Sequence, residues 1–108
     1  MTAKELAQKL DLEIVYDNGD DREVTSCYIG DLLSWVMGRA PADSAWITVM
    51  GNMNAVAVSV LADISVIILA ENMVADQAAI AKAKEQGVNI LRTNQPAFEA
   101  ALQIHNRL

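Results

Sequence analysis

The chain has little from which to build a disulfide, a membrane span or a nucleic-acid interface. One cysteine in 108 residues, Cys27, cannot form an internal disulfide and suits a reducing cytosol. Eight lysines and arginines are scattered among fourteen acids, leaving a net charge of −6 and no basic patch. Nucleic acid and anionic membranes are therefore excluded as partners. No apolar run reaches the ~20 residues that a membrane helix needs. The most apolar stretch, Ala55 to Ala70, contains Asp63, and a carboxylate at a bilayer centre costs roughly 2.5–3.5 kcal/mol. A helix–turn–strand pair buried in a protein core explains that stretch better. Thr2-Ala3-Lys4-Glu5, ahead of Leu6 and Leu10, has the pattern of a capping box opening a helix, not of a signal peptide. A soluble, cytoplasmic protein is expected.

Catalytic signatures are also missing. His105, the single histidine, lies in a helix near the end of the chain with no positioned partner in view, as general acid–base work would require. Cys27 has no histidine or cysteine pattern around it, so a small buried strand residue is the simpler reading. Ser34 follows Gly30-Asp31-Leu32-Leu33 and lacks the glycine-flanked nucleophile elbow. Neither a Walker A loop nor a glycine-rich dinucleotide fingerprint occurs. Asp17-Asn18-Gly19-Asp20-Asp21 groups three acids, but without the spacing or closing glutamate of an EF-hand loop. No catalytic residue, metal site or cofactor is assigned, and the protein is expected not to be an enzyme.

What is present is globular composition, 53% apolar and 20% charged, in a length that suits one domain. The pattern predicts a helix over Lys4–Leu10, a strand over Leu12–Tyr16, a turn at Asn18-Gly19 and a strand over Glu23–Ile29. Asp31 is the expected N-cap of the next helix, with Leu32, Leu33, Trp35 and Val36 as its apolar face and Gly38 as its end.

Three strand–turn–helix units follow. Trp46–Met50 leads into Gly51-Asn52, Ser65–Ala70 into Glu71-Asn72, and Asn89–Leu91 into Arg92-Thr93-Asn94. Asp76 should cap the second of these helices and Gly87 end it, while Pro96 opens a last helix carrying Phe98, Leu102 and Ile104. Short helical crossovers make the three strands parallel neighbours. Val66-Ile67-Ile68-Leu69, apolar on both faces, reads as a central strand covered by helices. The predicted fold is thus a single small α/β domain over residues 1–108, with a mostly parallel sheet and helices on both faces. The two amino-terminal strands are expected to pair and extend one side of it.

Open α/β sheets bind ligands at the carboxyl ends of their strands. The candidate binding residues are therefore Gly51, Asn52, Asn54, Glu71, Asn72, Thr93 and Asn94. Gly51-Asn52-Met53-Asn54 is the most informative turn, because a glycine and asparagines before a helix present backbone N–H groups to an anion. Asn52 or Asn54 also suits plain helix capping. Met37, Met50, Met53 and Met73 lie near element ends, where they suit either an interface or core filling.

Tyr28-Ile29-Gly30-Asp31-Leu32-Leu33-Ser34-Trp35-Val36-Met37-Gly38 followed by Ala45-Trp46-Ile47-Thr48 resembles the DRTGG domain family. So do Asp21-Arg22-Glu23-Val24, Ala55-Val56-Ala57-Val58, Val66–Glu71 and Gly87–Thr93, in order along nearly the whole chain. The likeness is greatest to the stand-alone bacterial members. Relatives occur beside phosphotransacetylases, beside CBS domains in regulated pyrophosphatases and, in distant form, at the amino end of HPr kinase. The resemblance implies an α/β regulatory or dimerisation module. This chain departs from the family's namesake residues: Asn52-Met53 stands where Asp-Arg would fall, and Glu71-Asn72-Met73 where Thr-Gly-Gly would fall. Roles of those family residues do not carry over position by position.

The expectation is a non-catalytic regulatory domain, homodimeric, that senses a small anionic metabolite or nucleotide or docks a partner enzyme. The alternative is a purely structural dimerisation or scaffold subunit without a ligand.

Overall fold

The computed structural model describes residues Met1–Leu108. Five helices and five strands follow along the chain: α1 Ala3–Leu10, β1 Glu13–Tyr16, β2 Ser26–Ile29, α2 Leu33–Arg39, β3 Ser44–Thr48, α3 Met53–Leu61, β4 Val66–Leu69, α4 Gln77–Gln86, β5 Asn89–Arg92 and α5 Ala97–His105. The strands form one sheet in the order β1-β5-β4-β3-β2, parallel throughout except for β1, which runs antiparallel to β5. The α/β class, the parallel β3–β4–β5 core and the helices on both faces agree with the sequence reading.

Local signals account for most element ends. Thr2 and Glu5 close the capping box at α1. Asn52 and Asp76 accept hydrogen bonds from Ala55 N–H at 3.0 Å and Ala79 N–H at 2.7 Å. Gly87, at φ 70°, ends α4 in the left-handed conformation that glycine adopts without strain. Every residue of β4 is buried. Trp46, Ile67, Leu69 and Ile90 meet α2, α3 and α4 on one face, while Ala45, Ile47, Val66, Ile68 and Leu91 meet α1 and α5 on the other. Successive right-handed crossovers marching one way across a sheet place their helices on one side. The opposite face is left to the two ends of the chain.

Four local expectations give way to tertiary pairing. β1 and β2 do not pair; they form opposite edges of the sheet. Asn18-Gly19 is not a hairpin turn but part of a connection that crosses the amino edge of the parallel strands. Asn18 N–H bonds Asn89 Oδ1 at 2.9 Å, and Arg22 then reaches Asp43 at 2.6 Å and Asp63 at 2.8 Å. The crossing spans four inter-strand steps, about 19 Å, and the chain from Asp17 to Thr25 can extend to roughly 30 Å. It also shortens β2, because Glu23 bridges to Thr2 before the strand begins at Ser26.

The second difference concerns Asp31. Leu32 occupies the N-cap position of α2 and supplies no side-chain hydrogen bond. Asp31 Oδ1 instead accepts from Thr48 Oγ1 at 2.6 Å and Val49 N–H at 3.0 Å, tying the end of β2 to the end of β3. Third, Trp35 is 51% exposed rather than buried, and the Arg39 guanidinium stacks on its ring at 3.7 Å. Val36 takes the inward position, and α2 runs one residue past Gly38. On α5, finally, the alanines and Ile104 face the sheet, whereas Phe98 and Leu102 are exposed.

The two tryptophans should therefore differ in urea unfolding. Trp46 is fully buried and donates its indole N–H to Gly30 O at 2.8 Å. Trp46→Ala should cost about 3–5 kcal/mol, and Trp35→Ala at most about 1 kcal/mol. Equal losses would contradict this assignment of core and surface.

Candidate functional site

Thr48, Leu69 and Arg92 lie opposite one another in the parallel register, so the turns after β3, β4 and β5 leave the sheet at one edge. The candidate residues divide there into two groups. Glu71, Asn72 and Thr93 belong to one hydrogen-bonded knot. Glu71 N–H bonds Gln95 O at 2.8 Å, Asn72 N–H bonds Thr93 O at 3.0 Å, and Thr93 N–H bonds Leu69 O at 2.8 Å. Gly51 and Asn52 meet the far end of the same β4–α4 connection, where Gly51 O accepts from Asp76 N–H at 2.9 Å. Asn54 and Asn94 are exposed on this edge and take no part in either network.

Glu71 and Asn72 are held in the left-handed region, at φ 58° and 60°. Asparagine tolerates this conformation, but for glutamate it is uncommon. Arg92 supplies the restraint. Its guanidinium donates to Met73 O at 2.8 Å, Asn72 O at 2.9 Å and Asn72 Oδ1 at 2.8 Å, and it pairs with Glu13 at 3.3 Å. Three of these bonds go to one turn, so the arginine acts as a clamp rather than as a free charge. Reading the sequence singled out the asparagines and missed Arg92. Its one signal was position: a cation at the end of an apolar strand in an acidic chain.

Gly51 has a packing role of its own. A Cβ at this position would stand 2.3 Å from Val74 O, too close for any side chain. The glycine is where the β3–α3 turn passes against the β4–α4 connection. Beneath it Met50, Ala55, Leu69 and Ala75 line an apolar cavity of about 10 Å³, room for one water at most. The carboxyl edge is thus a surface of ordered turns with no deep pocket. Gln95 Oε1, which belongs to the Glu71 knot, is buried without a hydrogen-bond partner.

Elsewhere the reactive residues are occupied or dulled. In the Asp17–Asp21 loop, Asp17 Oδ1 accepts from Gly19 N–H at 3.1 Å and Asp20 Oδ1 from Arg22 N–H at 3.3 Å. No group of three or more His, Cys, Asp or Glu residues is arranged to hold a metal ion. Burial pushes the Cys27 thiol up to about 11, leaving little thiolate near neutrality. No helix is long and apolar enough to cross a membrane.

No protein-family model matches the chain, and a comparison with curated proteins finds no relative. The fold does match a solved structure: the CBS and DRTGG domains of the regulatory region of Clostridium perfringens pyrophosphatase, complexed with its activator, diadenosine tetraphosphate. The TM-score is 0.75 over 94% of this chain at 12% sequence identity. The fold is DRTGG-like. This chain spans 44% of that regulatory region, so the likeness concerns the fold and not the activity of the longer protein.

Two measurements check the site's construction. Gly51→Ala should cost about 1–3 kcal/mol through overpacking against Val74, read by thermal unfolding; a neutral result would mean that the two turns do not touch. Cys27 should react with a thiol reagent at pH 8 about a hundredfold more slowly than an exposed cysteine. An ordinary rate would show that the half-buried Cys27 thiol is not held up in pKa.

Proposed function

We propose that this protein is a non-catalytic regulatory module. It acts as a homodimer that senses a small anionic ligand, a phosphate-bearing metabolite or nucleotide, or docks a partner enzyme, across its carboxyl-edge turns. The reading is carried by the unspent hydrogen-bonding capacity of turns that are already ordered. Gln95 Oε1 lies buried and unpaired beside the Arg92-clamped turn, so it meets a ligand only when that turn opens. On the same edge, the first amides of α3 have no intrahelical acceptor, apart from the one that Asn52 caps. Such amides favour an anion.

The contact surface on this reading is Gly51, Asn52, Asn54, Glu71, Asn72, Thr93 and Asn94. Glu71 adds a negative charge, and Arg92 is already engaged, so the affinity is modest and directed to polar atoms more than to net charge. Exposed Ile29, Phe98 and Leu102 support self-association. That the similar pyrophosphatase region binds a nucleotide activator makes nucleotides the first ligands to try. The second reading, a dimerisation subunit without ligand, is favoured by the absence of a deep pocket at this edge.

A thermal-shift panel of nucleotides and phosphorylated metabolites separates the two. A ligand at a hundred times its Kd stabilises the native state by about 2.7 kcal/mol, a rise of roughly 10 °C for a domain of this size. NMR shift changes should then fall on the seven residues above and weaken in Arg92→Ala. No response to any compound, or shifts confined to another surface, would leave the scaffold reading in place.

A further inference from the structure

We propose that two copies of this chain join along the free edge of β2, strand beside strand in antiparallel orientation, with the two α5 helices meeting over the groove next to it. The inference rests on the homodimeric reading above and adds the face that makes the dimer. β2 pairs with β3 on one side, and its other side ends the sheet. Alongside it Cys27, Ile29, Phe98, Ala101, Leu102 and His105 line a groove of about 250 Å³. Phe98 is 65% exposed, and Ile29 and Leu102 are each 47% exposed.

The two edges of the sheet are treated differently. Edge strands usually carry charge, proline or a bulge that blocks pairing with another chain. β1 has such guards: Glu13 stands in the strand, Asp17 follows it, and the register shifts between Ile14 and Tyr16. β2 has none. Ser26-Cys27-Tyr28-Ile29 contains neither charge nor proline and pairs with β3 in unbroken register.

The self-complementary edge selects a second copy as the occupant, and the uncharged groove permits it. At a net charge of −6, two copies repel wherever their carboxylates face one another. The groove contains no acid or lysine, and Glu99, the acid of α5, does not line it. A two-fold contact must match itself, and antiparallel strand pairing does so with backbone donors and acceptors alone. Phe98 and Leu102 then cover the groove of the opposite copy, and the two sheets become one.

Light scattering on the full chain at micromolar concentration should give twice its mass of 11.7 kDa. Ile29→Lys and Phe98→Asp should each weaken the dimer at least tenfold with circular dichroism unchanged, and Trp35→Ala should not. In the unaltered chain, the alternate amide hydrogens of Ser26–Ile29 that point away from β3 should exchange slowly when dimeric and faster on dilution. This exchange measurement decides the matter even if a variant fails to fold. A wild-type monomer would overturn both this proposal and the homodimeric reading. A dimer that survives Ile29→Lys and Phe98→Asp, or outward-facing β2 amides whose exchange ignores concentration, would overturn the β2 face alone.

Discussion

β4 is buried along its whole length and on both faces, and most of the architecture follows from hiding it. Val66, Ile67, Ile68 and Leu69 alternate across the sheet, so one helical layer cannot cover them. The crossovers α2, α3 and α4 fall on one face because right-handed connections that march one way along a sheet must do so. The other face would then be bare, and α1 and α5, from the two ends of the chain, close it. Leu6 and Ile104, both fully buried there, are the side chains that make this closure apolar. β1 runs antiparallel because it only has to extend an edge already defined by β5.

Two arginines finish the open ends of that sheet. At the amino edge Arg22 bonds Asp43 and Asp63, which sit at φ 65° and 59°. Partial burial alone would lower the Arg22 pKa, but hydrogen bonds from its guanidinium to the two carboxylates raise it above its ordinary value. At the carboxyl edge Arg92 restrains the turn in the same way through Asn72 and Met73. The chain thus spends scarce cations on turn geometry. Any attraction for an anion must come from backbone amides, which offer direction and little net charge.

This arrangement bears on what a DRTGG-like fold can do here. On the proposed reading, a ligand at these turns would act through the β4–α4 connection, because Gly51, Val74 and Asp76 join it to the β3–α3 turn. Such coupling depends on a ligand that binds two arrangements of that connection unequally. The β2 edge lies beside β3, and Asp31 joins the ends of those two strands. The carboxyl edge and the proposed dimer face are therefore linked through one buried strand.

Signals confined to a few neighbouring residues were legible in the sequence. The capping box at Thr2, the caps Asn52 and Asp76, the stop at Gly87 and the two-faced apolar run of β4 all depend on local hydrogen bonds or periodicity, and each formed where the residues predict. The parallel order of β3, β4 and β5 followed from the length of their crossovers. Longer-range choices were not legible. Trp35 and Trp46 are equally apolar, and only docking of α2 decided that Val36 turns inward while Trp35 stays at the surface. Asp31 could cap a helix or bond β3, and strand pairing brought Thr48 closer. Asn18-Gly19 has the chemistry of a hairpin turn, yet the carboxamide of Asn89, far along the chain, captured it for a crossing. The candidate turns were located from strand order alone, whereas Arg92 as their clamp required knowing that β4 and β5 are neighbours. A local sequence determines which conformations a segment prefers; its partner across the sheet determines which side chains are buried and which polar groups meet.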